Sequence, residues 1–156
     1  MEHGSDHKGQ NHYGRLAIEL TLDFIVMYLV MYTMIAALRH FHFNLNNLYM
    51  TLMMIAPMTI IMLFSMRSMF PSQRLNGLVI AGAAAVFLFS FVGMRTQAGI
   101  GDAEFLRAMI PHHSGAILMC EKASITDPEI VALCQGITKS QSQEIAQMEA
   151  ILARQR

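Results

Sequence analysis

Three long apolar runs separated by short polar links fill the first two-thirds of the chain, and an amphipathic helical pattern takes over after Gly101. The runs extend from about Leu16 to Leu38, Leu48 to Met66 and Leu75 to Met94. Each is long enough for a helix to cross a hydrocarbon core of roughly 30 Å. Glycine and alanine crowd the third, which favours close helix packing. The polar residues before them, Met1 to Gly14, have no apolar period and read as a flexible tail. They do not read as a cleavable signal peptide, because the apolar run that follows is too long and lacks a small-residue cleavage site.

Beyond Gly101, Phe105, Met109, His113, Ala116, Ile117 and Cys120 recur on one helical face, with Asp102 as the expected N-cap. Pro111 is expected to kink this helix, since it removes a backbone donor and crowds the preceding turn. Thr126-Asp127-Pro128-Glu129 then restarts a helix: an aspartate cap, proline at the first helical position and an acid in the first turn. The inner face of this second helix carries Ile130, Leu133, Cys134, Ile137, Gln141, Glu144, Ile145, Met148 and Leu152. So short a turn makes the two helices antiparallel neighbours. The expected fold class is all-α, with a tail (1–14), a three-helix membrane domain (15–95) and a soluble helical hairpin (96–156).

Composition supports the lipid reading. Only 14% of residues are charged, against roughly a quarter in soluble domains. No acidic residue occurs between Asp23 and Asp102. The formal net charge is zero, so no basic field is available for nucleic acid. Lys8, Arg15, Arg67 and Arg74 flank one side of the spans, against Arg39 and Arg95 on the other. The positive-inside rule then puts the N-terminus in the cytoplasm and the hairpin in the periplasm, in a multi-pass protein of the bacterial inner membrane.

Fifteen methionines, seven histidines and two cysteines form a soft-donor inventory, of the kind copper(I) and silver(I) prefer. Methionine is also a flexible filler of helix interfaces. Folding the hairpin about Ile125–Asp127 sets Cys120 opposite Cys134, Met109 near Glu144 and Met148, and His113 near Gln141. His112 diverges from His113 by about 100° on a helix and lies on the flank. The cysteines are suited either to a disulfide or to service as further ligands. Glu19, Asp23, Met27 and Met31 recur every four residues in the first span, and Met50, Met54, Met58, Met62 and Met66 do so in the second. These series fit either packing or an ion path. His3 in the tail has the spacing of an N-terminal chelate, and His40 and His42 in the first link fall on the hairpin's side.

The run Met109-Ile110-Pro111-His112-His113, with Ala116, Ile117 and Met119, and then Gln141, Glu144-Ile145 and Met148, resembles the signature of domain-of-unknown-function family 305. The resemblance covers about Asp102 to Leu152. It implies a ferritin-like helical fold and association with copper or silver. It also implies Met109, His112, His113, Met119 and Met148 as ligands, with Gln141 and Glu144 adjacent. Cys120 and Cys134 depart from the alanine-like residues expected there, and one hairpin is half of a four-helix bundle.

No phosphate-cradling loop, nucleophile–base pair or hard-metal carboxylate cluster is visible, so the chain does not read as an enzyme. The expected function is a membrane-anchored copper(I)- or silver(I)-binding protein for metal tolerance or delivery. Its expected partners are the lipid bilayer, a second copy in a homodimer or higher oligomer, and a metal-donor or metal-acceptor protein. The alternatives are a transporter or channel component moving a soft ion past the methionines, and a non-metal membrane scaffold.

Overall fold

The computed structural model describes residues 6–155, with side chains from His12 onward. Among these residues there are five α-helices and no strand: α1 (Asp6–Val30), α2 (Leu45–Ser65), α3 (Gln73–Thr96), α4 (Asp102–Lys122) and α5 (Pro128–Arg154). Single 3-10 turns at Met31–Met34 and Leu38–His40 lie between α1 and α2. Three segments, His12–Met34, Leu45–Ser65 and Gln73–Thr96, are long and apolar enough to cross a membrane. The chain divides into two units: one holds α1 up to Leu29 and the stretch Leu48–Ala98, the other Val30–Asn47 and the stretch from Gly99 onward.

In the first unit, Leu16, Leu63 and Phe70 are buried together, with Tyr13, Leu20, Met62, Val79 and Ile80 packed around them. The Tyr13 hydroxyl donates to Asn76 Oδ1 at 2.8 Å. Residues 6–14 lie within α1. Their polarity does not prevent helix, and extending a helix already nucleated by its apolar part costs little. His3 and the side chain of His7 lie outside the described residues. Both α2 and α4 run on through an internal proline, Pro57 and Pro111. Near the end of α3, Gly93 is buried, and a Cβ built there would come within 2.9 Å of the Tyr49 ring. Tyr49 is held in place by a 2.8 Å hydrogen bond from its hydroxyl to the Ala98 carbonyl. Large apolar side chains such as Leu22, Val26, Leu78 and Phe89 stay exposed on these helices, as lipid-facing residues would.

In the second unit, α4 packs along α5 around Leu106, Ile110, Ile117, Ile145, Met148 and Leu152. The Cys120–Cys134 disulfide and the His113–Glu144 contact run in opposite chain directions, so the helices are antiparallel. Asp127 caps α5 as the sequence implied, its Oδ1 accepting from the amides of Glu129 and Ile130 at 2.8 and 3.2 Å. The cap of α4, in contrast, is Gly101, and Asp102 begins the helix without a side-chain capping bond. Asp102 and Glu104 supply negative charge to that first turn.

The buried stripe of α4 is Leu106, Ile110, His113, Ser114 and Ile117, rotated from the predicted face, and Phe105 is 51% exposed. The cause is a second neighbour. The link Val30–Asn47 packs on α4 as well, so α4 is covered on two sides. Within the link, Tyr32 and Phe41 have ring centroids 4.2 Å apart, and Phe43 stands edge-on to Phe41 at 5.0 Å. Buried Asn44 donates to Tyr32 Oη and the His42 carbonyl, and its Oδ1 accepts from the Asn47 amide at the start of α2. Glu104 on α4 reaches the same helix start, accepting from the Leu45 amide at 3.2 Å.

Candidate metal centre

His113 is the buried polar residue of the α4–α5 contact, 8% exposed. Its Nδ1 lies 2.9 Å from the Met109 carbonyl, one helical turn back. A carbonyl accepts only, so Nδ1 carries the hydrogen and the tautomer is set. Nε2 lies 2.7 Å from Glu144 Oε2 on α5. That contact needs a proton between nitrogen and carboxylate, and a cation arriving there would take the proton's place. Glu144 keeps a half-exposed side chain, so the site opens to solvent on the α5 side. Met148, one turn beyond Glu144, is buried in the core cluster, and Met109 packs against the same cluster.

The structure therefore joins His113 to Glu144 and to the Met109 carbonyl, while the side chains of Met109 and Met148 lie in the core cluster of the same helix pair. The partner of His113 is Glu144 rather than Gln141, which is half-buried one turn earlier on α5. His112 is exposed beside the site, its ring centroid 6.2 Å from that of His113. Met119 does not join: it is 56% exposed and well past His113 along α4. Cys120 and Cys134 do not join either, because each is bonded to the other and in that state offers no thiolate. Their Cα atoms are 5.3 Å apart, within the range a disulfide requires. Among the described residues no group of three or more histidines, cysteines, aspartates or glutamates comes together to hold a metal ion.

Behind His113 lies a contact that sequence reasoning did not find. His40, from the link, is 4% exposed. Its Nε2 accepts from Arg39 Nε at 3.1 Å, and its Nδ1 lies 2.7 Å from Ser114 Oγ. Ser114 is fully buried and also accepts the Ala36 amide at 2.7 Å. Burial, and then the neighbouring Arg39 and His42, push the His40 pKa below its ordinary 6.5, against an opposing pull from Glu149. The available signal was the adjacent small pair Ser114-Gly115, which lets the link approach the helix backbone.

Residues 93–152 match the family model described as Domain of unknown function (DUF305). The chain is 33% identical to "Uncharacterized protein L153" of Acanthamoeba polyphaga mimivirus over 111 residues, covering 70% of this chain and 71% of the relative. No solved structure matches the chain.

Proposed function

The chain belongs to the family of the domain of unknown function 305, and on that premise we propose that it is a membrane-anchored copper(I)- or silver(I)-binding protein. One observation carries the reading. The Met109 carbonyl holds Nδ1–H of His113, which leaves Nε2 as the ring nitrogen for a metal, and Met109 and Met148 pack in the core cluster of the same helix pair. Locking one imidazole nitrogen by a hydrogen bond is how proteins commonly orient a histidine ligand. In this reading Met109, His113 and Met148 bind the ion, Glu144 balances its charge, and His112 guards the open side. Metal tolerance or delivery follows if the ion exchanges with a donor or acceptor protein at the exposed edge. The α4–α5 pair is then half of a ferritin-like bundle, carried on the periplasmic side of a bacterial inner membrane and completed by a second copy.

The test is a copper(I) titration of the detergent-solubilised protein, disulfide intact, against a competing chelator. Replacing Met109, His113 and Met148 together by alanine should lower the affinity at least a hundredfold, because no comparable soft-donor set remains in the pair. Unchanged affinity in the triple variant refutes the assignment.

A further inference from the structure

The turn end of the α4–α5 pair carries a second constellation, separate from His113 and Glu144. A cavity of about 470 Å³ opens there, lined by both Cys120 and Cys134 together with Val131, Gln135, Thr138 and Lys139. Both cysteines are half-buried rather than enclosed. The apolar core reaches toward this end only at Ile117, and its other members, Leu106, Ile110, Ile145, Met148 and Leu152, lie further along the pair. Within one chain, nearby Ile130 and Leu133 are exposed. A disulfide that served the core alone would sit inside it. This one forms part of the wall of a partly open cavity whose lining also includes Lys139.

We propose that Cys120–Cys134 is an exchangeable bond whose reduction by a dithiol creates a second soft-metal site, independent of the His113 centre. A thiolate of the dithiol attacks one cysteine sulfur from the cavity. The S–S bond breaks, a mixed disulfide forms, and the other cysteine leaves as a thiolate. The second thiolate of the dithiol then attacks its own bridged sulfur and releases the remaining cysteine. The dithiol is oxidised to its disulfide, and the cysteine pair gains two electrons. The two protons given up by the dithiol pass to the cysteines, or are released to solvent when a copper(I) ion takes their place. Cα atoms 5.3 Å apart on two braced helices keep both sulfurs within reach of one ion. Copper(I) and silver(I) are well served by two thiolates.

The experiment uses the full chain in detergent, with dithiothreitol as reductant, removed anaerobically before copper(I) is added from its bicinchoninate complex. Millimolar dithiothreitol should free two thiols without denaturant, and the reduced protein should take one more copper(I) per chain than the oxidised protein. Alkylating the reduced protein with iodoacetamide should abolish the gain, as should the C120S/C134S variant. The alkylated protein keeps the test decisive if that variant folds poorly. The M109A/H113A/M148A variant should show the same gain on reduction, whatever becomes of its copper in the oxidised state, so this site and the His113 centre succeed or fail separately. Thiols that appear only after unfolding, or a reduced protein with no added copper, overturn the proposal.

Discussion

His40 Nδ1 and Ser114 Oγ lie 2.7 Å apart although 74 positions separate them in the chain. Because His40 Nε2 accepts from Arg39, Nδ1 is the donor, and Ser114 Oγ receives both this hydrogen and that of the Ala36 amide. One hydroxyl thus fastens the link between the first two spans to α4.

Removing that hydroxyl should loosen the link. Ser114→Ala leaves two buried donors without their acceptor, at about 1–3 kcal/mol each. Hydrogen exchange of peptides covering residues 31–47 should speed up by roughly tenfold or more, since about 1.4 kcal/mol corresponds to one decade. Unaltered protection at the Ala36 amide would show that Ser114 merely fills space.

The same contact should be sensitive to acid. The His40 pKa is lowered in the folded chain, chiefly by burial. The unfolded chain therefore binds more protons than the folded one as pH falls below the unfolded value of 6.5. Its stabilising contribution is complete above 6.5 and is lost progressively as pH falls through the lowered folded value. Exchange in residues 31–47, corrected for its intrinsic pH dependence, should rise between pH 7 and pH 5. His40→Gln, which keeps a donor but cannot be protonated, should flatten that rise. A rise of equal size in the variant would assign the sensitivity to another group.

These two predictions rest on what the sequence did not reveal. The membrane-length segments were legible because lipid demands long apolar helices whatever their tertiary partners. Asp127-Pro128 was legible because a cap is made within three residues. The Cys120–Cys134 pairing was legible because counting outward from a short turn brings them level. Further from the turn, the same counting holds only to about one helical turn, which is why His113 meets Glu144 and not Gln141. The face of α4 was misjudged because periodicity assumes one neighbour, whereas the link adds a second. By sequence His40 falls on the hairpin's side of the membrane, but only the small pair Ser114-Gly115 hints at where it touches α4.

Packing between α2 and α3 gives a test within the first unit. A Cβ at Gly93 meets the Tyr49 ring at 2.9 Å, and that ring is buried and anchored to the Ala98 carbonyl. Gly93→Ala should therefore destabilise the unit by about 1–3 kcal/mol, the usual cost of overpacking. Gly115→Ala is the matched control, because its new carbon would stand 3.5 Å from the Met34 carbonyl, an ordinary contact. Thermal unfolding in detergent should give a clearly lower midpoint for the first variant than for the second. Equal midpoints would mean that Tyr49 moves aside freely.

Orientation is checked by reporter fusions. Lys8, Arg15, Arg67 and Arg74 outnumber Arg39 and Arg95 in the flanks of the spans, which favours a cytoplasmic N-terminus. Alkaline phosphatase fused after Arg156 should be active, and fused near Ser72 inactive. The reverse pattern would place the α4–α5 pair in a reducing compartment, where the disulfide would not persist.

The last prediction concerns assembly. A pair of helices buries little apolar surface, and the link covers just one side of α4, from Glu104 to Ser114 and Gly115. Phe105, Met119, Ile130 and Leu133 remain exposed on α4 and α5, the last at 61%. Leaving such side chains in water forfeits about 25 cal/mol per Å² of apolar surface. A second copy docked by its own equivalent residues across a two-fold axis would recover it and complete a four-helix bundle. The detergent-corrected mass from light scattering should correspond to a dimer. Charge at the turn end of this surface should split it, so Ile130→Glu combined with Leu133→Glu should yield a monomer with unchanged helical content by circular dichroism. A wild-type chain that is monomeric throughout the accessible concentration range would refute the two-fold model.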